Sequence, residues 1–169
     1  LQQQANQQAN QPTDNPANHQ TYQPASQPTD QQQKRLLQAV GDMTVVEKIK
    51  LARFGNTEAR ALLIRDRNRL VALAAVQSPK LTEKEGVGWA KARQLSDYVI
   101  RAIATTRAWT RLYVVRHALA SNPRTPLKDA LRFVQTLNDR DLKALMKSRD
   151  VPSPVNQTAR KLVMRKGRG

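Results

Sequence analysis

At 169 residues, with 29 Lys and Arg against 13 Asp and Glu and a formal charge of +16, the chain is long enough for one domain with a genuine core and is strongly basic. It has no cysteine, which excludes a disulfide framework, Cys-based zinc sites and thiol nucleophiles, and no apolar run reaches the ~18 residues that span a bilayer. Leu1 and a glutamine run do not follow the basic-then-apolar order of a secretory signal, so a cytoplasmic location is expected.

Residues 1–33 are built from Gln, Asn, Pro, Thr and Ala, with Tyr22 as the one large aromatic. Such a segment buries too little apolar surface to offset the entropy of ordering, and it is predicted to be a disordered arm. His19, within it, has no companion ligands. The composition changes at Lys34, and residues 34–163 are predicted to form the folded domain, with a basic tail over 164–169. All 29 Lys and Arg lie at or after Lys34, and of the thirteen acids only Asp14 and Asp30 precede it, which leaves +18 on residues 34–169.

Helix signals then follow one another. Thr44 and Glu47 form a capping box that opens a helix with Val45, Ile49 and Ala52 on one face, closed by Gly55. Asn56 or Thr57 caps a second helix, and Asp66-Arg67-Asn68 separates it from a third, which Ser78-Pro79 ends. Thr82 and Glu85 make another capping box, but Gly86 and Gly88 each cost about 1 kcal/mol relative to alanine in the helix that follows, so a loose or kinked segment is expected there. Ser96 opens the next helix, with Val99, Ala102 and Ile103 inward.

The clearest element is a helical hairpin between Arg107 and Leu137. Asn122-Pro123 stops the first helix, because proline has no amide hydrogen to donate and disfavours the α conformation before it. Thr125 is predicted to cap the second helix, with Pro126 in its first turn and Leu127, Ala130, Leu131, Val134 and Leu137 on its buried face. Asn138 or Asp139 starts another helix with Leu142, Leu145 and Met146 inward, and Pro152-Ser153-Pro154 leads into the last.

Two internal echoes link these segments. VALAAVQSPKLT, residues 71–82, matches VVRHALASNPRTP with Pro79 on Pro123, Lys80 on Arg124 and Ala74 on Ala118, an offset of 44. ARQLSDYV matches SRDVPSPV at an offset of 56. Units that cannot bury their own apolar side must bury it on the next, so the predicted fold is all-α: an α-solenoid of the right-handed type, with about nine short helices in degenerate hairpin repeats. The SPKLT and NPRTP turns, AWTRLYVVRHAL and LNDRDLKALMKSRDVP resemble a set of uncharacterised bacterial proteins with HEAT-like or leucine-rich-repeat-variant helical arrays. That resemblance implies the fold and carries no functional residues with it.

No catalytic constellation is assembled by the sequence. His117 is the one histidine after the arm, the acids are scattered, and the GVG at Gly86 lacks the third glycine and preceding strand of a phosphate loop. A non-enzymatic role with no metal, no cofactor and no small-molecule substrate is therefore expected. The cations are better ordered. Lys128 and Arg132 project at about 100° and about 140° from Leu127, and Arg140, Lys143 and Lys147 at about 160°, about 100° and about 140° from Leu142, at ~100° per residue. With Arg124, Arg149, Arg165, Lys166 and Arg168 they form candidate phosphate-contacting rows. Trp109 and Tyr113, four apart, are candidates for base stacking or, alternatively, for packing between repeats.

The leading expectation is a helical-repeat binding module for a polyanion, nucleic acid above all, held through phosphates without base readout. The alternative is a protein-interaction scaffold for an acidic partner. Membrane binding is not expected, because the apolar helix faces are consumed by packing.

Overall fold

A computed structural model describes residues 30–167, and every regular element among them is helical. The order is α1 (Asp30–Gly41), α2 (Val45–Phe54), α3 (Thr57–Leu63), α4 (Arg69–Val76), α5 (Glu83–Lys91), α6 (Asp97–Thr105), α7 (Arg107–Thr110), α8 (Tyr113–Ser121), α9 (Leu127–Val134), α10 (Asp139–Lys147) and α11 (Ser153–Lys166). The arm expected over 1–33 lies outside the described residues as far as residue 29, and residues 30–33 belong to α1. The last helix likewise takes in residues 164–166 of the expected tail.

Among the described residues, eleven helices replace the expected nine for two reasons. Helix α1 begins inside the glutamine run, DQQQKRLLQAVG, whose first turn carries no apolar residue to mark a buried face. The helix expected from Arg107 breaks at Arg111-Leu112, where Arg116 turns its Nη1 onto the carbonyls of Thr110 (3.0 Å) and Arg111 (2.8 Å). That guanidinium group takes the place of the next turn of amide donors.

Packing runs from neighbour to neighbour: α2 on α4, α4 on α6, α5 on α8, α8 on α9, and α9 and α10 both on α11. The interior is aliphatic and rich in alanine. Val71, Ala72 and Ala75 of α4, Val99, Ile100 and Ile103 of α6, and Val115, Leu119 and Ala120 of α8 are almost fully buried. Alanines let short helices approach closely, so each long aliphatic side chain is enclosed by the next helix. Both capping boxes form as read, and Asn56, Asn68 and Asn138 accept from backbone amides in the first turns of α3, α4 and α10.

Several readings of individual faces are corrected. Val45 and Leu127 are 42% and 46% exposed, while Phe133 is buried at 2%. The buried positions of α9 are Ala130, Phe133 and Val134, so its inward face is turned away from the first-turn leucine. Thr125 is buried but makes no cap, its Oγ1 has no hydrogen-bond partner, and Pro126 holds the cap position. The proline fixes its own φ and leaves the hydroxyl of Thr125 behind the turn.

Helix α5 is continuous through both glycines. Gly86 is where the ring of Trp109 rests: a Cβ there would lie 2.6 Å from Trp109 Cζ3, whereas at Gly88 it would meet nothing within 4 Å. Close approach of the indole, not looseness, explains the first glycine.

A buried ion pair ties α3 to the start of α5. Arg60, 3% exposed, donates from Nε and Nη2 to the two Glu85 oxygens (2.9 and 3.0 Å) and from Nη1 to the carbonyl of Gly55 (2.8 Å). Glu85 is also the return arm of the capping box, accepting from Thr82 N and Oγ1. Burial pushes its carboxyl up, but hydrogen bonds from Arg60 and Thr82 outweigh that and hold it below its ordinary value.

Two outcomes are expected. Gly88→Ala should raise stability by about 1 kcal/mol through helix propensity, whereas Gly86→Ala should lower it by about 1–3 kcal/mol by displacing Trp109, and urea melts of the two variants would show the opposite signs. A depressed folded pKa makes Glu85 stabilising above its unfolded value and loses that contribution as pH falls through the folded one. Glu85→Gln should therefore cost about 3 kcal/mol near neutrality and flatten the acid limb of stability against pH.

Candidate polyanion interface

The cations picked from the sequence divide into those already engaged and those left free. Arg132 donates from Nη2 to the carbonyl of Ala104 at the end of α6 (3.2 Å), pairs with Asp129 (3.2 Å), and lies over the Phe133 ring. It holds α9 on α6. Arg124 pairs with Asp97 and Lys166 with Asp139, all well exposed. Lys128 is exposed with no ion pair among the described residues, and Arg168 lies outside them.

Helices α9 and α10 do not pack along each other, because α11 lies against both. The cations of α9 and those of α10 therefore sit on two helices that meet α11 rather than each other. On α10, α11 and the turn between them, Arg140, Lys143, Lys147, Arg149, Arg160, Lys161 and Arg165 are all exposed. None has a carboxylate within ion-pair distance among the described residues. The three acids of the same region are all engaged elsewhere: Asp139 with Lys166, Asp150 with Arg93, and Asp141 with Tyr113. Exposed pairs such as Arg93 with Asp150 are weak, but they withdraw their carboxylates from the neighbouring lysines and arginines.

Arg160 and Lys161 are the residues that reading the sequence missed. They line an open cleft of about 590 Å³ together with Ser148, Arg149, Val151, Ser153, Asn156, Gln157 and Met164. Along α11 the lining residues recur every three to four positions, as one helix face does. That spacing was the available signal. It was obscured because the same residues alternate with the buried Val155 and Ala159.

The cleft is built on a fixed corner. Asn156 donates from Nδ2 to the carbonyls of Leu145 (3.1 Å), Met146 (2.7 Å) and Ser148 (3.3 Å), closing the C-terminal end of α10. Ser148 Oγ accepts from Asp150 N, which shapes the turn carrying Arg149. Asn156 thus sets α11 against α10, and with it the spacing between Arg149 and the Arg160-Lys161 pair.

Trp109 and Tyr113 face inward. Trp109 covers Gly86, and the Tyr113 hydroxyl donates to Asp141 Oδ2, accepts from Asn138 N (3.1 Å), and lies under Arg116. Burial first, and the carboxylate acceptor second, raise the Tyr113 hydroxyl above its ordinary value, so it remains a donor. His117 is half exposed, with Nε2 4.0 Å from Asp141 Oδ1. No three His, Cys, Asp or Glu side chains gather as a metal site among the described residues, and no described helix is long and apolar enough to cross a membrane.

Asn156→Ala should expose three carbonyls at the end of α10 and lower stability by about 1–3 kcal/mol, with faster hydrogen exchange confined to α10 and α11. Compared with protein-family models, curated proteins and solved structures, the chain has no match.

Proposed function

We propose that this protein is a non-enzymatic helical-repeat module, of HEAT-like type, that holds nucleic acid through phosphate contacts without reading base sequence. The observation that carries this reading is the separation of charge on α10 and α11. Among the described residues, exposed Arg140, Lys143, Lys147, Arg149, Arg160, Lys161 and Arg165 stand without carboxylate partners, while Asp139, Asp141 and Asp150 are each engaged.

Cations gathered this way repel one another unless a polyanion neutralises them. Phosphates do so with release of condensed counterions, which makes the association favourable and steeply dependent on salt. The inward placement of Trp109 and Tyr113 leaves the contact to charge and amide groups, in keeping with backbone rather than base recognition.

The test is fluorescence anisotropy with labelled oligonucleotides across a salt series. Log K should fall against log salt with a slope of about −4 or steeper, the value for at least four neutralised phosphates. The quadruple change Lys143→Glu, Lys147→Glu, Arg160→Glu and Lys161→Glu should weaken binding by about a hundredfold or more while the melting temperature holds. Unchanged binding by that variant would remove the interface. Wild-type binding that vanishes at physiological salt would overturn the reading in favour of an acidic protein partner.

A further inference from the structure

We infer that the cleft between the α10–α11 turn and α11 seats one nucleotide unit of a single strand, so that the protein prefers single-stranded to duplex nucleic acid. This rests on the nucleic-acid reading above and goes beyond it by naming the form of the strand.

The cleft is not simply a basic surface. Its cations are Arg149, Arg160 and Lys161, and its other groups are of a kind that phosphates do not require. The exposed Met164 gives it apolar surface, with the buried Val151 at its base, and Gln157 and Ser153 give it an amide and a hydroxyl. Among the described residues, the side chains of Gln157 and Ser153 make no hydrogen bond, so both remain available as donors and acceptors. Asn156, by contrast, has its amide hydrogens committed to α10 carbonyls and acts as a rigid floor.

At about 590 Å³ the concavity is of the size that takes a small organic ligand. It suits a phosphate with its sugar and base. A duplex of ~20 Å diameter cannot enter it, since paired bases stay inside the stack and only the backbone reaches the rim. In a single strand the unpaired base is free to leave its neighbours, rest on Met164, and meet the Gln157 amide while its phosphate meets Arg160 and Lys161. No aromatic platform is present in the cleft, so this contact is apolar and tolerant of base identity.

The experiment compares one labelled decamer as a single strand, the same sequence as a duplex, and the mononucleotide as competitor, on the full chain at physiological salt. The single strand should bind about tenfold tighter than the duplex, and Met164→Ala should erase most of that preference while leaving duplex affinity unchanged. Arg160→Gln with Lys161→Gln should weaken single-strand binding about tenfold or more, against about threefold for the matched loss of charge in Arg101→Gln with Arg107→Gln on α6 and α7. Equal affinity for strand and duplex, or equal losses in the two charge-matched variants, would overturn the cleft assignment and leave the phosphate-contact reading standing. A mononucleotide that competes as well as the decamer would make the cleft a site for free nucleotides instead. Failure of both strand and duplex to bind would remove the assignment together with the reading beneath it.

Discussion

The C-terminal ends of short helices set the terms for the rest of this molecule. Every helix leaves its last carbonyls without amide partners, and the eleven helices among the described residues meet that demand again and again within a small volume. The common remedy, a left-handed glycine, is not used: no described residue has a positive φ. The carbonyls are satisfied instead by side chains from other segments. Ser78 donates to Arg53 at the end of α2, Asn122 to Ala90 and Ala92 at the end of α5, Arg132 to Ala104 at the end of α6, and Asn156 to the end of α10. Each contact completes a helix and docks its neighbour in one step, so local and tertiary structure depend on the same hydrogen bonds.

Arginine serves this purpose because its planar guanidinium group offers several donors at once. Arg60 is the extreme case, spanning a buried carboxylate and a helix-end carbonyl while almost wholly enclosed. A buried ion pair adds little net stability over an apolar pair of the same shape, since desolvation consumes most of the attraction. Its value here lies in register. The same Glu85 closes the capping box with Thr82, so α5 starts only where α3 already sits. Placing Trp109 on Gly86 then sets α7 against α5 by shape, at a point where charge has no part.

Much of this was legible in the sequence, and the part that was not shares one cause. Capping boxes, asparagine caps and proline stops are local, so α2 to α6, the C-terminal end of α8, and α9 and α10 could be read within a few residues of their ends. The echo of Ser78-Pro79 in Asn122-Pro123 has a physical basis: both polar residues cap an earlier helix while accepting from the amide two residues on, Lys80 N or Arg124 N. What escaped were the contacts between distant segments. Gly86 read as weakness because Trp109 lies more than twenty residues away, and nothing local to α9 or α10 says that α11 lies against both. Arg160 and Lys161 escaped for the same reason, since a cleft is defined by its opposite wall.

The two uses of basic residues, as helix-end donors and as free charge, explain how a domain so positive stays folded. Arg60, Arg116 and Arg132 place their charge against carbonyl oxygens or carboxylates, so their repulsion of other cations is offset on the spot. The remaining charge is spread along exposed positions, where salt screens it within about 10 Å. At α10 and α11 unpaired cations converge beside a concavity whose corner is fixed by a neutral group, the Asn156 amide, while the Lys166–Asp139 pair joins the two helices at their other end. A polyanion arriving at this corner meets charge that is not already spent on structure. Neutralising it relieves repulsion without breaking any contact that holds α11 to α10, so binding and folding reinforce each other instead of competing for the same side chains.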